Sequence, residues 1–221
     1  MTFSIVARCT RTDQLGMAVS SSSPAVAARC AHAKAGVGVV ASQNITDPRL
    51  GPKTLLAMAE GHSAPEAVKM IINASKNADF RQLLAVDARG NAAIYSGSKS
   101  LGTHADFASH NAAAAGNLLA NPTIPEAMVT AFHQGTGHLG DRLIDAMRAA
   151  LALGGEAGAL HSAGLLLVGE QEWPMADLRC DWTEDCPIEA VAAAWNIYKP
   201  QMDDYIVRAL DPAKAPQYGV P

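Results

Sequence analysis

Residues 2–23 read TFSIVARCTRTDQLGMAVSSSS, and the rest of the fold is built outward from this stretch. Phe3–Cys9 mixes apolar with small polar positions and carries β-branched Ile5 and Val6, the pattern of a strand. Thr10–Gln14 is a polar turn containing Asp13, and Leu15–Ser21 is a second small, apolar run that ends in serines. The reading is an antiparallel hairpin whose first strand begins at Phe3, immediately after Thr2, so that the start of the chain is held at a sheet end.

Beyond the hairpin, Pro24–Ala35 is alanine-rich and reads as a short helix or an extended excursion, and VGVVAS (Val37–Ser42) reads as a buried strand. Helices are expected over Leu50–Glu60 and Ala64–Ser75. The second is announced by Ser63, Pro65 and Glu66, a capping-box signature. Arg81–Asp87 and Ala92–Ser96 form a hairpin through Ala88-Arg89-Gly90-Asn91. Leu101–Ala115, polar and then alanine-rich, is ambiguous. Helices follow over Ile124–Phe132 and over Asp141–Leu153, the latter stopped by Gly154-Gly155. Ser162–Val168 and Met175–Asp181 read as a strand pair, and Pro187–Ala209 as a helix kinked or split by Pro200. Strands and helices in this order suit an α+β, four-layer αββα sandwich of two mainly antiparallel sheets. Residues 1–210 are expected to form one domain, and 211–221, punctuated by proline, a loosely attached tail.

Hydrophobic residues make up 49% of the 221 positions and charged ones 17%, which excludes disorder as the general state. A formal charge of −4 gives no electrostatic reason to expect nucleic acid or an anionic membrane as partner. The N-terminal segment lacks the layout of a signal peptide, and no apolar run reaches the roughly 18 residues of a membrane span. Four cysteines are too few for a disulfide scaffold at this length, so reduced thiols in a cytoplasm are expected. Lightly charged, alanine-rich surfaces suit a homodimer.

Thr2 is the most informative chemical position. Removal of Met1 before this small residue leaves a hydroxyl nucleophile beside a free α-amine, whose pKa of about 7.7–8.0 lets it act as the hydroxyl's own base. The histidines near carboxylates (His104 and His110 with Asp106, His133 and His138 with Asp141) lack the helical spacing and glutamate of a zinc hydrolase, and no phosphate-binding glycine motif occurs. No metal or cofactor is expected, and the partner is a small-molecule substrate.

The ordered segments TFSIVAR, LGMAVSSSSPAV, GVGVVASQ, RQLLAVDARGNAAIYSG, AGNLLAN, DRLIDAMRAAL and GGEAGALHSAGLLLV resemble the bacterial and archaeal DUF1028 family, which is grouped with N-terminal nucleophile (Ntn) hydrolases. The likeness spans about residues 2–182. It implies an Ntn hydrolase-like αββα sandwich and hydrolysis of an amide, ureido or N-acyl compound by the N-terminal residue. On that resemblance Thr2 is the nucleophile and Lys34 the cation beside it. Asn117 with a backbone N–H stabilises the oxyanion. Ser20, Ser21, Ser22, Gln43 and Ser162 line the substrate, and Arg81, adjoining Gln82, offers a carboxylate a planar fork. Three departures stand out: Ala-Ser-Gln at 41–43 for Ala-Thr-Gln, Gly154-Gly155-Glu156 for Gly-Gly-Asp, and the 98–110 segment SKSLGTHADFASH without cysteine or tryptophan. The alternatives are an enzyme of the same fold that does not use its terminus, as in a cyclohydrolase, or a non-catalytic binding or assembly protein.

Overall fold

A computed structural model describes residues 2–217. The hairpin at the start of the chain is present as β1 (Thr2–Arg8) and β2 (Leu15–Ser21), paired antiparallel with Phe3 opposite Ser20. The alanine-rich excursion resolves into both expected forms, a short helix α1 (Val26–Cys30) followed at once by β3 (Ala31–Lys34). Then come β4 (Gly38–Asn44), α2 (Leu50–Ala59), α3 (Ala64–Asn73), β5 (Arg81–Asp87) and β6 (Ala92–Ser96). The ambiguous segment is a second hairpin, β7 (Ala105–Ser109) and β8 (Ala112–Asn117). The chain continues with α4 (Ile124–Gln134), α5 (Leu139–Ala152), β9 (Ser162–Val168), β10 (Ala176–Cys180), α6 (Pro187–Tyr198) and α7 (Met202–Leu210). A 3₁₀ turn over Lys199–Gln201, carrying Pro200, separates the last two helices, since proline can neither donate nor fit behind the preceding turn.

One sheet has the order β10-β9-β2-β1-β8-β7 and the other β3-β4-β5-β6, and every strand pair among the described residues is antiparallel. Period-two alternation sorts the side chains into three cores. Phe3 and Ile5 face outward from the six-stranded sheet and bury against Phe132, Leu143, Met147 and Trp195 on α4, α5 and α6. Val6, Met17 and Val19 face inward and meet Val39, Ala41, Leu84 and Val86 of the four-stranded sheet. Val40, Leu83 and Ala85 point from that sheet to Leu55, Ala64 and Val68 on α2 and α3. The result is the four-layer α+β sandwich.

Local devices hold the layers in place. Ser63 and Glu66 form the capping box expected at α3, with Ser63 N donating to Glu66 Oε2 at 2.8 Å. Buried Asp87 receives hydrogen bonds from Ala64 N, Arg89 N, Asn91 N and Asn91 Nδ2, tying the β5–β6 turn to the start of α3. Gly164 lets α1 lie close on β9, where a Cβ would come within 2.4 Å of the Ala27 Cβ. The four cysteines are free thiols. No helix among the described residues is long and apolar enough to cross a membrane. The segment after α7 is tied back by Arg208 Nη2 donating to Pro216 O at 3.0 Å, and residues 218–221 of the expected tail lie outside the described residues.

Candidate functional site

Register brings one end of four neighbouring strands together. Thr2 pairs with Asn117 across β1 and β8, and Ser21 with Ser162 across β2 and β9. Because Phe3 faces the helices, Thr2 faces the other sheet, as do Ser4 and Val6. Thr2 is buried at 5% exposure, and its Oγ1 lies 3.3 Å from Ser21 Oγ. Ser21 Oγ is also 2.8 Å from Ser23 Oγ and accepts from Ser23 N at 3.1 Å. Ser162 Oγ donates to Ser23 O at 2.6 Å and accepts from Val26 N at 3.2 Å, so it holds the chain turning out of β2.

A polar network crosses between the sheets beside Thr2. Ser4 Oγ donates to Gln43 Oε1 at 2.6 Å, and Gln43 Nε2 donates to Gln82 Oε1 at 3.2 Å and to Ala115 O at 3.1 Å. Gln82 Nε2 in turn donates to Ser96 Oγ and to Gly116 O, each at 3.1 Å. Gln82 is thus oriented with its oxygen toward Asn117, whose Nδ2 donates to it at 3.0 Å. Asn117 is fully buried, and its Oδ1 has no hydrogen-bond partner among the described residues. Native interiors rarely leave such an acceptor unmet.

Glu156 closes the same end. Its segment bridges to Leu119, just past β8, while its Oε2 accepts from Ser22 N at 3.2 Å, just past β2. Since β1 lies between β2 and β8, Glu156 spans the start of β1. The side chain is 4% exposed and its Oε1 is unpartnered among the described residues. Burial pushes the carboxyl up to about 7 against the hydrogen bonds from Ser22.

The expected site residues therefore divide. Thr2, Ser21, Asn117 and Ser162 converge at one sheet end, and Ser22 joins them through its backbone N–H. Gln43 is nearby but wholly engaged in the bridge between sheets. Ser20 is a correction: it sits opposite Phe3 on the helix-facing side and donates to Ser162 O at 2.9 Å, turned away from Thr2. Lys34 is another. It is exposed and pairs with Gly38, five residues along β4 from Gln43, about 16 Å at 3.3 Å per residue. Arg81 is the third: Gln82 faces the network, so Arg81, its neighbour, faces the opposite side of the sheet and donates to Ile45 O. Met1, whose removal the nucleophile reading requires, lies outside the described residues. The sequence reading missed Ser4, Gln82 as the residue that orients Asn117, and Glu156 as a buried carboxyl. A lone serine between Phe3 and Ile5 was the available signal for the first.

The model of DUF1028, described as a family of unknown function, matches residues 2–191. Among solved structures, the chain is similar to protein SPO2555 from Silicibacter pomeroyi, also assigned to DUF1028, at 29% identity and a TM-score of 0.83, covering 90% of this chain and 89% of that one. More distant is Anbu, the ancestral beta-subunit, from Yersinia bercovieri, at 11% identity and a TM-score of 0.40, with 99% and 100% covered. A Gly-1 mutant of Anbu from Hyphomicrobium sp. strain MC1 stands at 10% identity and 0.44, with both chains fully covered. No curated protein matches the chain.

Proposed function

This chain belongs to the DUF1028 family, and from the geometry at the start of β1 we propose that it is an amidohydrolase of the N-terminal nucleophile type acting on a small amide, ureido or N-acyl compound. The observation that carries the reading is the burial of Thr2 at the end of a central strand, with Ser21, Asn117 and Glu156 gathered about it. A disordered or solvent-facing terminus would offer no such enclosure.

In this reading, loss of Met1 exposes the α-amine of Thr2. The amine takes the Oγ1 proton as Oγ1 attacks the substrate carbonyl, and the C–N bond breaks as that proton passes to the leaving nitrogen. Water then hydrolyses the threonyl ester, releasing a carboxylic acid and restoring Oγ1–H. Asn117 retains one amide hydrogen beyond that given to Gln82, which serves the oxyanion with a backbone N–H, while its Oδ1 accepts from the α-amine. Glu156, once ionised above about 7, supplies the counter-charge for an ammonium at residue 2. The reading keeps a cytoplasmic, homodimeric enzyme with a small-molecule substrate.

The deciding experiment is intact-mass analysis of protein from its native host alongside labelling by an acylating electrophile such as a β-lactone. A single adduct on Thr2 in Met1-free protein is expected. Persistent Met1 on active protein, or activity unchanged in Thr2→Ala, would transfer the function to an enzyme that does not use its terminus.

A further inference from the structure

The outer face of the four-stranded sheet carries a separate cavity of about 250 Å³, where α2 begins and α3 ends, with Asp47, Arg49, Lys53, Lys76 and Arg81 on its walls. Asp47 and Arg49 answer each other: Arg49 Nε and Nη2 donate to the two carboxylate oxygens at 2.8 and 2.7 Å. That contact holds Asp47 down to about 2, so the pair stays ionised and mutually neutral. Lys53, Lys76 and Arg81 form no ion pair among the described residues.

These three cations come from separate elements: the first turn of α2, the loop after α3, and the first residue of β5. Arg81 is fixed at the wall by its Nη1 donating to Ile45 O, yet its Nε is buried with no acceptor among the described residues. Leaving a charged donor unmet is unfavourable, and bringing three like charges to one cavity adds to the cost. The only acidic side chain at the start of α2 among the cavity's lining residues is Asp47, whose Oδ1 also accepts from Arg49 N at 3.1 Å.

We propose that this cavity binds a phosphate group. Three cations facing one hollow match a compact dianion better than a single carboxylate. Arg81 contributes a planar fork and the lysines mobile point charges. The group belongs either to free phosphate or to a small phosphate monoester. This site is independent of the chemistry at Thr2, since Arg81, although it directly precedes Gln82, lies on the opposite side of the strand.

The test is calorimetric titration of the full chain with inorganic phosphate, glycerol phosphate and acetate at constant low ionic strength. One saturable phosphate site is expected, with acetate at least tenfold weaker. The double variant Lys53→Gln, Lys76→Gln, both at exposed positions, is expected to raise the phosphate Kd tenfold or more while keeping the wild-type circular dichroism spectrum. Tighter binding of glycerol phosphate assigns the site to a monoester, and equal binding to free phosphate. Absence of saturation, acetate binding equal to phosphate, or an unchanged Kd in the double variant overturns the proposal. Thr2→Ala is expected to bind phosphate like the wild type, which separates this outcome from the fate of the hydrolase reading.

Discussion

Asn117 stands directly opposite Thr2 across β1 and β8, and the orientation of its amide is set by a glutamine from the other sheet, Gln82, whose Oε1 accepts from Asn117 Nδ2 at 3.0 Å. The end of the central strand is therefore organised from across the sandwich. The alignment of the two sheets, more than any single strand, determines which atom of Asn117 faces Thr2.

Replacing Gln82 tests this arrangement. Gln82→Leu removes two donors and an acceptor that serve Gln43, Ser96, Gly116 and Asn117, leaving several of those groups buried and unmet. The expected loss is about 2–4 kcal/mol, read as a lower urea midpoint with an unchanged slope. An unchanged midpoint would mean that the network does not hold the sheets together.

Glu156 gives stability a pH dependence of unusual sign. Between the ordinary carboxyl range and about 7, the folded protein keeps a proton that the unfolded chain has already lost. Stability from this group therefore declines as pH rises across that window, by at most roughly 3 kcal/mol, and levels off above it. Glu156→Gln should flatten this component and make the variant the more stable of the two at pH 8. Chemical denaturation at pH 5, 6, 7 and 8 measures both.

Asp87 acts in the opposite direction. Burial opposes its charge, but the hydrogen bonds from Asn91, Ala64 and Arg89 outweigh that and hold its carboxyl below the usual range. Its contribution is present near neutrality and is lost as pH falls through that lowered value. Asp87→Ala should cost about 2–4 kcal/mol at pH 7, since it frees the N–H groups of both the turn and α3, and the difference from wild type should shrink toward pH 2.

Thr2 separates chemistry from stability. Thr2→Ala removes the Oγ1 contact with Ser21 and should cost about 1 kcal/mol of stability while abolishing labelling by an acylating electrophile. Thr2→Ser keeps a hydroxyl and should be labelled measurably. Equal labelling of wild type and Thr2→Ala would remove residue 2 from the reaction.

Much of the fold was legible in the chain. Hydrophobic alternation and Gly- or Asp-containing turns located the β1–β2 and β5–β6 hairpins, and Ser63, Pro65 and Glu66 marked the start of α3. The β7–β8 hairpin was not, because alanine runs such as 112–115 favour helix by propensity and become strand only by burial between β1 and β7. Lys34 was misjudged for a related reason: its place ahead of β4 said nothing about which end of that strand approaches Thr2. Arg81 and Gln82 looked like a pair, yet in a strand adjacent residues face opposite sides.

What the sequence alone determined is local: which segments are strands or helices, and that a strand follows immediately upon Thr2, because periodicity and capping are written in neighbouring residues. Tertiary structure decided the meeting of Thr2 with Asn117, the reach of Gln82 across the sandwich and the burial of Glu156. Each of these contacts depends on strand order and sheet stacking between residues 35 to 134 positions apart, and the energy that selects them comes from the packing of whole layers.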